Sequence, residues 1–64
     1  MNKEFYLKNK DEILKIIDLL TYASKKDINE RCQSDLSKKI QKRFNKKSMT
    51  LILDDGVVLF KKKL

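Results

Sequence analysis

At 64 residues the chain is one domain at most, and a domain this small buries only a modest core. One cysteine (Cys32) and no histidine exclude an internal disulfide and a tetrahedral zinc site, so a regular core or self-association has to hold the fold. The net charge of +7 is unevenly placed: residues 1–35 are neutral, and the whole excess lies in residues 36–64, whose only acids are Asp54 and Asp55. Segregated charge makes a field with a direction, which draws a polyanion to one side.

The first helix signal is "DEILKIIDLLTY", residues 11–22, with Ile13, Ile16, Ile17 and Leu20 at helical spacing and Leu14 and Leu19 widening the stripe. Asn9 is placed to cap it, with Glu12 completing a capping box. Phe5, Tyr6 and Leu7 either extend this helix upstream or fold over its apolar face. Ser24 opens a second box, "SKKD", and a short helix from about Lys25 to Cys32 that buries Ile28 and Cys32 on one narrow edge.

Ser34 caps a third helix, expected to run to Lys47. Leu36, Ile40 and Phe44 recur every four residues and form its inward stripe. At 100° per residue, Lys38, Lys42 and Asn45 lie opposite that stripe, flanked by Ser34, Gln41 and Lys46. Arg43 and Lys47 fall nearer the inward edge.

Beyond Lys47 the pattern changes to β-branched and large apolar residues around Asp55-Gly56. Asp-Gly predicts a two-residue type I′ hairpin, because both central residues need positive φ. That register opposes Leu53 to Val58 and Leu51 to Phe60 on one face, and Ile52 to Leu59 on the other. Both faces are then apolar near the turn, so the hairpin packs on the helices, and either a second layer covers its other face or it joins a second copy in a homodimer. The expected fold is therefore α+β, three small helices followed by a C-terminal β-hairpin, in a single domain spanning residues 1–64.

The order of "EILKIIDLLTYA", "KKDINERC", "SDLSKKIQKRFNKK" and "LILDDGVVLFKKK" resembles the winged helix-turn-helix family of DNA-binding domains. The resemblance covers about residues 11–63. It implies that the third helix is the recognition helix and the hairpin the wing. It also implies that Thr21-Tyr22-Ala23 is the short first strand often found in that family's sheet. A competing threading makes "QSDLSKKIQKRF" the second helix and "KKSMTLIL" the start of the third. Thr50-Leu51-Ile52-Leu53 reads as strand, and this ranks the competing threading lower.

The functional expectation is a small transcriptional regulator that binds double-stranded DNA. Ser34, Lys38, Gln41, Lys42, Asn45 and Lys46 would face the major groove or its phosphates, and Lys61, Lys62 and Lys63 would lie on the outgoing wing strand near the backbone. Lysine suits guanine O6 and N7, Gln or Asn suits adenine, and neutralised phosphates supply most of the affinity. RNA, or an acidic protein partner bound by the same basic face, stays open as an alternative. The chain holds no histidine base, no Cys–His pair and no glycine-rich phosphate loop, so neither catalytic residues nor a cofactor is expected. No apolar run approaches the ~18 residues of a membrane span, and the opening "MNKEFYLKNK" lacks the apolar stretch of a secretory signal. With its lone cysteine, the chain is expected to be cytoplasmic. Tyr6, Tyr22 and Phe44 are expected in the core or at its rim, and Cys32 as a small buried residue.

Overall fold

A computed structural model describes residues 1–60. Four helices precede a three-stranded antiparallel sheet: α1 (Lys3–Lys8), α2 (Lys10–Tyr22), α3 (Lys25–Arg31), α4 (Asp35–Arg43), β1 (Phe44–Asn45), β2 (Thr50–Leu53) and β3 (Gly56–Leu59), with strand order β1-β2-β3. This α+β arrangement is compatible with a winged-helix-like fold. It excludes the competing threading, since residues 50–53 are a strand.

Phe5, Tyr6 and Leu7 form a separate helix, α1, which folds Tyr6 onto the apolar face of the long helix and leaves Phe5 and Leu7 exposed. Asn2 caps α1, its side chain accepting from the Phe5 N–H at 2.8 Å. The expected capping box at Asn9 is absent. The Asn9 side chain instead donates to the Phe5 carbonyl at 3.0 Å, closing α1 rather than opening α2. Ser24 and Ser34 do cap α3 and α4, accepting from the Asp27 and Ser37 N–H groups.

Thr21 and Tyr22 are the last residues of α2 and Ala23 its C-cap, so the first strand implied by the resemblance does not form. The Thr21 hydroxyl donates to the Ile17 carbonyl at 2.8 Å, a local bond that a helix offers and a strand does not.

One core joins the layers. Ile13, Ile16 and Ile17 of α2, Ile40 of α4, Tyr6 of α1, and Leu51 and Leu53 of β2 are buried together. Ile13, Ile40 and Leu51 are fully enclosed. The helix periodicity therefore placed the right faces inward. Tyr22 is the exception, 57 % exposed at the end of α2. Cys32 is buried at the C-cap of α3.

Two boundaries differ from expectation and both reshape the basic region. α4 stops at Arg43, four residues early, because Phe44 turns extended and pairs with Leu51. Phe44 still points inward, meeting the Phe60 ring edge-on at 6.2 Å between centroids. The hairpin register also slips by two: Leu53 opposes Gly56, Ile52 opposes Val57, and Leu51 opposes Val58. A slip of two keeps every side chain on its expected face. Leu51 and Leu53 point to the core, while Ile52, Val57 and Leu59 are exposed.

The turn that causes the slip is Asp54-Asp55, and Gly56 belongs to β3 without a positive φ. The expected type I′ turn therefore does not form. The tip is held by tertiary contacts instead. The Asp54 N–H donates to the Met1 carbonyl at 2.7 Å, and the Asp55 carboxylate accepts from the Lys3 N–H at 2.8 Å. Among the described residues no helix is long and apolar enough to cross a membrane.

Candidate nucleic-acid interface

The partition of α4 builds the site. Its buried residues are Ser37 and Ile40, with Leu36 half-buried, so Lys38, Lys39, Gln41 and Lys42 are carried outward on the opposite side. The helix packs on α2 through one side and on β2 near its end, which fixes the orientation of that outward face. Lysine and arginine in the last turn also suit the partial negative charge of a helix C-terminus.

The sequence-selected residues separate into three groups. Lys38 and Lys42 sit on the exposed face of α4, with Lys39 beside them. Asn45 lies on β1, and Lys46 is in the β1–β2 loop, residues 46–49, so neither continues the helical face. The third group, Lys61, Lys62 and Lys63, lies outside the described residues.

Several polar members have internal employment. Ser34 caps α4, and its hydroxyl also meets that of buried Ser37 at 2.7 Å. The Gln41 amide nitrogen donates to the Cys32 carbonyl at 3.3 Å, tying α4 to the end of α3. That bond uses one of the two amide hydrogens and fixes the direction of the side chain, leaving one N–H and the oxygen for other partners. The Asn45 side-chain oxygen accepts from the Lys47 N–H at 2.9 Å and the Ser48 N–H at 3.2 Å. This Asx-type turn shapes the loop, and Met49 closes it in the left-handed region at φ 53°.

Among the described residues the only ion pairs converge on Asp54. Its carboxylate receives the Met1 ammonium at 2.8 Å and Arg43 Nη1 at 2.9 Å. The hydrogen bond from the Met1 ammonium, partly opposed by desolvation and aided by Arg43, holds the Asp54 carboxyl below its ordinary value. Arg43 is thus partly neutralised, whereas Lys38, Lys39, Lys42, Lys46 and Lys47 meet no carboxylate within the described residues. Spacing alone could not reveal this sorting of the cations, because the partner of Arg43 lies eleven residues downstream.

Lys42, Lys46 and Lys47 share a shallow concavity of about 380 Å³ with Arg43, Phe44, Asn45 and Ile52. Cations from the helix end and from the loop therefore converge, although the helix itself stops short. Among the described residues no group of acidic, cysteine or histidine side chains is placed to hold a metal ion.

Comparison with known proteins supplies no family: no family model, curated protein or solved structure matches the chain.

Proposed function

We propose that this chain is a small DNA-binding domain that acts as a cytoplasmic transcriptional regulator, with the outward face of α4 entering the major groove. One observation carries the reading. Lys38, Lys39 and Lys42 form an exposed face with no carboxylate partner among the described residues, while the opposite side of the same helix locks into the core through Ile40. A face shaped only for solubility usually mixes signs. Lys38 and Lys42, with Lys39 beside them, are the exposed α4 side chains suited to guanine edges or phosphates, while one N–H of Gln41 is engaged within the fold.

The test is a salt titration of binding to duplex DNA, duplex RNA and single strands, with Lys38→Ala/Lys42→Ala beside the control pair Lys25→Ala/Lys26→Ala on α3. The α4 pair is expected to weaken duplex DNA binding and to flatten the salt slope by up to about two. The α3 pair should do so far less. Equal effects from both pairs, or tighter binding to RNA than to DNA, would sink this reading.

A second observation favours a protein contact as well. Val57 and Leu59 are 63 % and 70 % exposed on the outer face of the sheet, on the edge of β3 that is unpaired among the described residues. Two copies meeting on this uncharged strip would bury it and present two α4 helices to a palindromic site. Sedimentation checks this: the wild type should behave as a dimer and Leu59→Lys as a monomer. A Leu59→Lys variant that stays dimeric removes the strip as the interface.

A further inference from the structure

The two turns of the sheet carry opposite charge. The β2–β3 tip is Asp54-Asp55, and both residues are committed to the N-terminal segment. The cations at this tip, the Met1 ammonium and Arg43, are already paired with the Asp54 carboxylate, so the tip offers a phosphate no free cation. In the fold type that the sequence resembles, this hairpin would be the wing held against the nucleic acid. Here its tip has spent its charges inside the fold and has none left for that ligand.

The β1–β2 loop has the complementary properties. It exposes Lys46 and Lys47 and contains no acid. Its shape is set before any ligand arrives. Asn45 holds two of its N–H groups, the Ser48 and Thr50 hydroxyls meet at 2.6 Å, and the Phe60 N–H donates to the Met49 carbonyl at 2.8 Å. Ordering of this kind lowers the entropy lost on binding.

From this contrast we infer that the β1–β2 loop, not the hairpin tip, grips the nucleic-acid backbone, with one strand running through the concavity between Lys42 and the Lys46–Lys47 pair. The half-exposed Ile52 supplies the apolar floor of that concavity. A phosphodiester strand alternates charged phosphates with largely apolar sugars. Lysines around an apolar floor match both parts. Ile52 would carry the sugar while the lysines take the flanking phosphates. The inference rests on the nucleic-acid reading above and adds the location of the second contact.

Gly56 makes a clean test possible. It has no positive φ, and a Cβ built there meets nothing within 4 Å, so the hairpin tip accepts a lysine without strain. Duplex DNA binding would be measured from about 50 to about 200 mM salt for the wild type, Lys46→Ala/Lys47→Ala and Gly56→Lys. Circular dichroism would confirm that each variant is folded. The loop pair is expected to weaken binding about tenfold at every sequence tested and to reduce the salt slope by about two. Gly56→Lys should change affinity by less than about twofold and leave the slope unaltered, because its new charge lies away from the strand. A steeper slope with Gly56→Lys, or an indifferent loop pair on a wild type that does bind, overturns the loop assignment alone. A wild type that binds neither duplex nor single strand at low salt overturns the functional reading and this inference with it.

Discussion

The tip at Asp54-Asp55 and the loop at residues 46–49 are two turns of the same three-stranded sheet, both following or preceding β2 and both exposed, yet they are stabilised in opposite ways. The tip has no glycine or asparagine at its centre and keeps negative φ throughout. Its conformation comes from a distance, through Met1, Lys3 and Arg43. The loop is stabilised locally, by Asn45 folding over its own neighbours and by Met49 in the left-handed region. A turn shaped by its own residues leaves its charged side chains free for a ligand. A turn shaped by a tertiary contact has already used its charges.

The shared support of both turns is Leu51, fully buried and paired with Phe44 on one side and Val58 on the other. Leu51→Ala should break the comparison outright, costing about 2–5 kcal/mol and loosening tip and loop together. Denaturant unfolding would measure it. A loss under about 1 kcal/mol would mean that the two turns hold independently of the core beneath them.

Asp54→Asn sharpens the comparison by acting on one turn only, and its effect should be smaller than that of Leu51→Ala because the ion pairs are exposed. The Asp54 carboxyl is held below its ordinary range, so its stabilising contribution is complete above that range. The contribution disappears as pH falls through the depressed folded value. The variant should therefore melt below the wild type at neutral pH, and the two melting temperatures should converge in strong acid. Parallel melting curves at every pH would remove Asp54 as the anchor of the tip. Salt-dependent DNA binding at neutral pH should keep the wild-type contribution of Lys46 and Lys47 in this variant, since the loop does not depend on the tip.

Helices α2, α3 and α4 were legible in the sequence because their cues are local, whereas α1, too short to show a period, was not. Ile13, Ile16, Ile17 and Ile40 recur at helical spacing, and Ser24 and Ser34 stand at caps. The faces of the hairpin were legible for the same reason, since strand alternation survives a register slip of two. Asn45 and Lys46 were misplaced on the recognition helix because their spacing fits a helix as well as it fits what forms. Pairing of Phe44 with Leu51 decided against the helix, and that contact is invisible to a local pattern.

From its sequence alone the chain was bound to be a small α+β domain with its charge excess in the second half, because composition, capping and apolar periodicity are properties of neighbouring residues. Only the tertiary structure decided which cations are free. Arg43 is claimed by Asp54, Asp54 also by Met1, and Asp55 by Lys3, through contacts that span between 11 and 53 residues of chain. Those contacts accompany a turn at Asp54-Asp55 and use up the acidic tip, while the lysines of the neighbouring loop stay exposed. Charge is written in the sequence, but its availability depends on which residues the fold brings within bonding distance.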